Sequence, residues 1–365
     1  MGLTHYVATK LVYHLVTSKK NQHYLCPKLG KLFTMCYLCS DIRRHCIILF
    51  LLLLPYHLWA QHHFKVASWN VENLFDCMDD STKQDDEFLP NSEREWTHGR
   101  YWRKIEDISR VIMGIGEETP PALVALQEVE NDSVMAALTQ RGSLRALGYH
   151  YVMTDSPDQR GIDVALIYQP AMFRLYGYEC VSVPSVEHGL RPTRDLLHAW
   201  GRVPGGDTLH VVVCHLPSRA GRGSKAKRNR RLASQTLYAL TDSLLRMTPR
   251  CHLIVMGDFN ASPHDVIFRK QLDKLPLTSL IPQKRRPTEG TYRFRGNWSW
   301  LDHMLVSETM LQHCAYEDKQ VRRFTQPWLQ RTMSDGTWYP RRTFLGPNYQ
   351  GGVSDHIPIY CDFTY

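Results

Sequence analysis

With 365 residues, 43% of them apolar, the chain is long enough for one large α/β domain or two ordinary ones and has ample material for a sizeable core. Its formal charge of +8 reads at first as a nucleic-acid signal, but residues 1–60 carry seven basic residues and one acidic residue, which leaves only +2 for the remainder. Bulk charge therefore selects no partner class, and local basic runs must carry any such argument.

In chain order, Arg43-Arg44-His45 precede the apolar run Cys46–Leu54, followed by Pro55 and a stretch ending in Trp59-Ala60. A basic flank, a short apolar run and a small residue before a polar start resemble a secretory signal peptide. The run is too short to span a bilayer comfortably. Met35 makes a more typical start, so residues 1–34 read as an over-extended N-terminus, 35–60 as the signal peptide and 61–365 as the folded domain. Cleavage is expected between Ala60 and Gln61, giving a periplasmic or secreted protein. Leu58, three residues before that bond, keeps a signal anchor open as the alternative. Gln61 after Ala60, in place of a Cys, argues against a lipoprotein. The six cysteines beyond this leader (Cys77, Cys180, Cys214, Cys251, Cys314, Cys361) form no Cys-x-x-Cys pair, which argues against a structural zinc site. An exported protein permits disulfides, yet Cys214, Cys251 and Cys361 lie within or beside apolar runs and read as small buried hydrophobes.

Phe64–Trp69 alternates as a strand and delivers Asn70 and Glu72 at its end. Between Arg103 and Ile115, apolar residues fall at helical spacing. Pro120-Pro121 precede a strand, Ala122–Leu126, that ends at Glu128. Asp132 is expected to cap a helix through Val134 and Leu138. Strands are expected at Tyr149–Met153, Val164–Tyr168, Phe173–Val183, Leu197–Val203 and Leu209–Cys214, then a long helix from about Lys225 to Leu245. Further strands centre on Leu253, on Leu301–Val306 and on Ile357–Phe363, while residues 316–350 read as a long surface loop. This order predicts an α/β fold: a four-layer sandwich of two packed mixed β-sheets flanked by helices.

The chemistry sits where strands end. Gly257-Asp258-Phe259-Asn260 follows the apolar run Leu253–Met256, and an Asp-x-Asn there puts a carboxylate and a carboxamide on one side of the backbone. One can face a divalent cation while the other orients a phosphate or the attacking water. Ser354-Asp355-His356 adds a hard oxygen ligand and an imidazole that accepts a proton near neutral pH. With Asn70 and Glu128 upstream, the set points to metal-assisted hydrolysis of a phosphoester. Oxygen ligands favour Mg²⁺, with Mn²⁺ or Ca²⁺ as alternatives, over zinc.

Taken together over Phe64–Phe363, these motifs make the chain similar to the endonuclease/exonuclease/phosphatase superfamily, with its deoxyribonuclease I-like fold, and within it to exported bacterial members. The resemblance implies a metal held by Asn70, Glu128 and Asp355. It implies catalytic roles for His215, Asp258, Asn260, Asp302 and His356: His356 as general base fixed by Asp302, Asp258 helping to orient the water, and Asn260 and His215 contacting the phosphoryl group. His215, in His215-Leu216-Pro217-Ser218-Arg219, resembles the second catalytic histidine of the deoxyribonuclease, sphingomyelinase and inositol-phosphatase branches. Apurinic endonucleases carry a different residue there. Several members hold the phosphate with a Tyr where this chain has Ile162, so Arg160 or Asp163 is expected to substitute, with Arg219 as a further substrate contact.

Other residues invite plainer readings. His303 follows Asp302 on a strand, so it points to the opposite face and reads as structural. Glu72 and Asn73 are either site residues or a cap on the first turn. The acidic run Asp76, Asp79, Asp80, Asp85, Asp86 and Glu87 reads as a solvated loop rather than a Ca²⁺ site. Lys225–Arg231, Lys284–Arg286 and Arg322–Arg342, the last interleaved with Trp328, Trp338 and Tyr339, can track a phosphate backbone and stack bases, although Lys225–Arg231 equally opens a helix whose exposed face is charged in any case. The expected protein is a monomeric secreted endonuclease-type phosphodiesterase acting on nucleic acid or another phosphoester, without a stable protein partner. The alternatives are a phosphatase or a sphingomyelinase/inositol-phosphate-type hydrolase on the same fold, and an inactive binding module.

Overall fold

Alternation of side chains along each strand dictates two interfaces per sheet, and both are filled. A computed structural model describes residues 62–219, 223–248 and 250–365; the expected signal peptide lies outside them. The first sheet contains β1 (His63–Leu74), β2 (Leu123–Val129), β3 (His150–Met153) and β4 (Asp163–Tyr168). The second contains β5 (Arg174–Val181), β6 (Leu196–Arg202), β7 (Thr208–His215), β8 (His252–Asp258), β9 (Leu277–Ser279) and β10 (Asp302–Ser307). Two later strands, β11 (Arg322–Arg323) and β12 (Ile359–Thr364), return to the first sheet. The orders are β11-β12-β1-β2-β4-β3 and β5-β6-β7-β8-β10-β9. Each six-stranded sheet has one parallel pair, β1/β2 or β7/β8, and is otherwise antiparallel.

Val66, Ala125 and Leu166 of the first sheet meet Val211, Val213, Ile254 and Met256 of the second in one buried layer. Their neighbours Ala67, Val124 and Leu126 face outward onto Ile105, Ile108 and Ile112 of α1 (His98–Gly116). On the far side, Val212, Leu253 and Val255 pack under Ala233 and Leu237 of α2 (Ser224–Met247). Each long helix is the crossover that a parallel pair requires. The four-layer arrangement expected from the sequence is the one found.

This topology gathers the strand ends that matter. The C-terminal ends of β1 and β2 lie together because the pair is parallel, as do those of β7 and β8. β10 runs against β8 and β12 against β1, so the start of each reaches the same end of the sandwich. In register, His215 pairs with Asp258 and Asp258 with Asp302.

Four local expectations are corrected. β1 does not stop at Trp69: Glu72 and Asn73 adopt φ of 53° and 51°, a bulge inside a strand that continues to Leu74. Asn131 rather than Asp132 caps the short helix Asp132–Ala136, accepting a hydrogen bond from the Val134 amide. Residues 316–350 are not simply a loop, for they include β11 and two hairpins, Gln330–Thr332 with Trp338–Pro340 and Phe344–Leu345 with Asn348–Tyr349. β9 and the hairpin of Tyr292–Phe294 with Asn297–Ser299 were not anticipated, because three-residue strands show no measurable period. Cys214, Cys251 and Cys361 are buried as expected, and Cys361 lies with its sulfur 3.4 Å from that of Cys314.

Gly257 lets β8 pass close to β7 just before Asp258. Its φ of 143° is open to glycine, and a Cβ there would lie 1.9 Å from the Cys214 carbonyl oxygen. Gly257→Ala is expected to destabilise the fold by at least about 2 kcal/mol, the scale of a strained backbone position plus a steric clash, and to displace Asp258. Urea unfolding midpoints of variant and wild type measure the first effect; an unshifted midpoint would contradict the close approach.

Candidate active site

Asp258 is the centre of the cluster at this end. Its Oδ1 accepts the Asn260 amide N–H at 2.8 Å, and its Oδ2 accepts Asn70 Nδ2 at 3.1 Å and Asn260 Nδ2 at 3.2 Å. His215 Nε2 lies 3.5 Å from the same oxygen and 3.9 Å from Glu128 Oε1, and His356 Nε2 lies 3.8 Å from it. His356 Nδ1 contacts Asp302 Oδ2 at 2.8 Å, and since a carboxylate accepts, the proton sits on Nδ1. Seven of the eleven expected residues (Asn70, Glu128, His215, Asp258, Asn260, Asp302 and His356) are thus joined by direct contacts.

The backbone explains these orientations. Asn260 holds φ of 48° and Glu128 φ of 64°, turns that swing the side chains off their strands and over the sheet end. Ser354 Oγ donates to the Asn70 carbonyl and accepts the His356 amide, and Trp69 Nε1 donates to the His356 carbonyl at 3.0 Å, which fixes the Ser-Asp-His segment against β1. Thr291 Oγ1 accepts from the Leu301 and Asp302 amides. His215 is steadied from behind by buried Arg194, which donates to the His215 and Leu216 carbonyls and pairs with Asp158 at 3.2 Å.

Burial sets the protonation states. It pushes the Asp258 carboxyl up to about 7, with His356 pulling the other way. It pushes the His215 imidazole well below its usual range, reinforced by Arg194, Arg160 and His356. Burial also opposes charge on His356, but Asp302 and Asp258 outweigh it and hold that pKa well above the ordinary value. In the bare site these directions favour a neutral His215, which keeps one N–H to donate, and a protonated His356.

The remaining expected residues divide. Arg160 faces the site, donating to Asn73 Oδ1 and lying 3.6 Å from Glu128 Oε2. Asp163 does not: it accepts Thr154 Oγ1 at 2.5 Å and the Ser156 amide at 3.0 Å, while Ile162 is core. Arg219 braces the loop after Asn260, donating to the Asn260 carbonyl at 3.1 Å and pairing with Asp265 at 3.0 Å. Asp355 pairs with Arg342 at 2.6 Å, and the same guanidinium holds Glu72 at 2.9 Å. His303 is buried on the other face, its Nε2 donating to the Ala261 carbonyl and its ring packed on Phe259 and Phe268.

Sequence reasoning left Glu72 undecided and missed Arg342, Lys104 and Tyr292. The bulge at Glu72 turns its carboxylate inward to accept the Thr343 amide, and buried Lys104 donates to the Glu72 carbonyl and to Thr343 Oγ1. Burial, reinforced by Asp355, pushes the Glu72 carboxyl up to about 7. The Tyr292 ring lies 4.9 Å from that of His356. Lys104 sits at core spacing on α1, which was the available clue. Arg342 and Tyr292 lie in segments with no periodicity.

Asp258, Asp302 and His356 offer ligand atoms that all lie within 4.8 Å of one another. Asp302 Oδ1 is buried without a hydrogen-bond partner, a state that costs about 1–3 kcal/mol unless something satisfies it. A hard divalent cation beside these oxygens fits that deficit. The acidic run from Asp76 to Glu87 yields no such group among the described residues.

Residues 65–364 match the endonuclease/exonuclease/phosphatase family, and the chain belongs to it. It is a phosphoester hydrolase, in a family that depends on divalent metal ions. Solved structures share the fold. An endonuclease/exonuclease/phosphatase family protein from Bacteroides thetaiotaomicron is 15% identical with a TM-score of 0.53, over 84% of this chain and 98% of that one. The mannosyl-6-phosphatase Bt3783 of the same organism is 16% identical with a TM-score of 0.51, over 83% and 100%. A humanized D. rerio TDP2 is 17% identical with a TM-score of 0.51, over 83% and 99%. No curated protein matches by sequence.

Asp163 offers a test of the burial argument away from the site. Burial raises its carboxyl from 3.8 to about 7, against the hydrogen bonds from Thr154 and Ser156. The folded state therefore favours the protonated form, and that stabilising contribution is lost as pH rises from about 4 through about 7. Asp163→Asn lacks this titration, so the wild type should lose more stability than the variant between pH 5 and pH 8 in urea titrations. Equal losses would show that the carboxyl is not perturbed.

Proposed function

We propose that this chain is a divalent-metal-dependent phosphodiesterase acting on nucleic acid, with Mg²⁺ as its ion. The metal would be held by Glu128, Asp258 and Asp302, with Asn70 donating to Asp258 from its amide nitrogen, while Asp355 contributes charge from its pair with Arg342. Bound there, such an ion neutralises the phosphate and stabilises the leaving oxygen. The residues supply the rest. Asp302 fixes the His356 tautomer, so Nε2 is the atom presented toward Asp258. With Asp302 holding the Nδ1 proton, His356 in its neutral form would take the proton of an attacking water at Nε2. Neutral His215 donates one N–H bond as charge builds on the phosphoryl oxygens, with Asn260 and Arg160 beside it.

The observation that carries the nucleic-acid reading is a groove of about 940 Å³ between α2 and the short helix Val266–Lys270. Lys227, Arg230, Arg231, Lys270 and Lys274 line it, with Tyr238 among them and Asp265 as its acidic member. Asp265 is the residue paired with Arg219, which in turn holds the Asn260 carbonyl, so the groove adjoins the catalytic loop. A row of cations suits a chain of phosphates, whereas a small phosphomonoester needs none of it. A second reading rests on a smaller pocket of about 140 Å³ beside the site, lined by Glu72, Asn73, Phe88, Arg94 and Arg342. That pocket suits a compact phosphate ester, the class named for the Bacteroides phosphatase. Export, with cleavage before Gln61, remains part of the proposal on the strength of the leader sequence.

Three outcomes test this reading. Glu128→Gln should lower kcat by at least about 100-fold, the scale of removing one preorganised electrostatic contact, and thorough chelation should do the same to the wild type. Full activity after chelation would remove the metal from the mechanism. His356→Ala should cost about 10²–10⁴ in kcat/KM, as loss of a general base does, whereas His303→Ala in folded protein should leave kcat near wild type. Reversal of that contrast would invalidate the assignment of both histidines. Charge reversal at Lys227 and Lys274 should raise KM for DNA and flatten its salt dependence, with little effect on a small aryl phosphodiester. If both substrates respond alike, the groove does not bind substrate.

A further inference from the structure

The end of the sandwich opposite the active site carries a second convergence of side chains that the hydrolytic site does not use. Asp207 lies in the turn before β7, His252 opens β8, and His313 follows the short helix Glu308–Gln312 after β10. A ring nitrogen of each histidine and a carboxylate oxygen of Asp207 lie within 4.8 Å of one another. We propose that Asp207, His252 and His313 form a second metal site, selective for a borderline first-row divalent ion of the Zn²⁺ class and separate from the catalytic ion.

The hydrogen bonding supports ligation. His313 Nδ1 contacts the Thr364 carbonyl at 2.8 Å, and a carbonyl only accepts, so the proton is on Nδ1 and the lone pair on Nε2. A backbone carbonyl holding the far nitrogen is the usual outer contact of a metal-bound histidine. His252 Nδ1 is buried with no hydrogen-bond partner. The two imidazoles lie 5.0 Å apart at 51°, and the Tyr365 ring stacks on His313 at 4.5 Å. Asp207 is exposed, so its carboxylate has room to rotate toward the rings to the roughly 2.0–2.2 Å that zinc bonds require.

The donor set decides the class of ion. Two imidazoles and one carboxylate suit zinc, nickel or cobalt, while Mg²⁺ prefers an all-oxygen shell. The consequence is structural. The Thr364 amide at the end of β12 also donates to the His313 carbonyl at 2.8 Å, whereas His252 opens β8 of the second sheet and Asp207 lies in the turn that leads into β7. An ion here would pin the two sheets together at the end away from catalysis.

Calorimetric titration of the intact protein with Zn²⁺, in saturating Mg²⁺, tests this directly, with Co²⁺ visible absorption as a second readout. One Zn²⁺ equivalent should bind and raise the thermal midpoint. Asp207→Asn and His313→Ala should each weaken binding by at least about tenfold, the lower end of what a lost contact at a metal site costs. Glu128→Gln should leave Zn²⁺ affinity unchanged, since it touches only the other end. Zn²⁺ affinity insensitive to Asp207→Asn, or no binding against Mg²⁺, would overturn the proposal and leave the two rings and Tyr365 as packing alone. Because Asp207 is exposed, its variant folds even if a histidine variant does not, and it decides the question by itself.

Discussion

Concentrated negative charge, almost out of reach of water, is the constraint around which this molecule is arranged. Asp258, Asp302 and Glu72 are all buried at one end of the sandwich. Carboxylates placed so are costly unless hydrogen bonds, cations or protons compensate them. The structure uses all three. Asn70 and Asn260 donate to Asp258, Arg342 and the Thr343 amide serve Glu72, and His356 shares a proton with Asp302. What is left over, including an unpartnered oxygen on Asp302, is the deficit that a divalent cation is suited to fill.

The same arrangement ties several distant elements to the site at once. Every compensating group comes from a different part of the chain: Asn70 from β1, Asn260 from the turn after β8, Arg342 from between the two late hairpins, Lys104 from α1. None can shift without uncovering a buried charge. The parallel pairs β1/β2 and β7/β8, each fastened by its crossover helix, hold these contributions level with one another. The late hairpins do more than decorate the surface, since Arg342 and Thr343 couple them to the bulge in β1.

Substrate choice is governed elsewhere. Phosphoester chemistry requires only the acidic and imidazole groups at the strand ends, so the loops around them determine what is presented. Here the basic groove along α2 and the compact pocket beside Glu72 offer two different kinds of room, one extended and one closed. The near neutrality of residues 61–365 hides this, because the cations are gathered along one groove while acids occupy the site itself.

Much of this was legible in the sequence. Alternation in β1, β2, β7 and β8, helical spacing in α1, and the four strand-end motifs identified the fold and most members of the cluster, because strand period and motif order are local properties. The face of His303 followed from its adjacency to Asp302 by the same rule. Other features were not local. Whether Arg160 or Asp163 faces the site depends on the direction taken after Gly161, where φ is 71°. That Glu72 is buried depends on a bulge that strand alternation does not announce, and Arg342 acquires its meaning only from hairpins too short to show a period. The sequence alone determined which chemistry is present and which strands carry it. Tertiary structure decided which charges are compensated and by what, because the cost of a buried charge depends on partners hundreds of residues away.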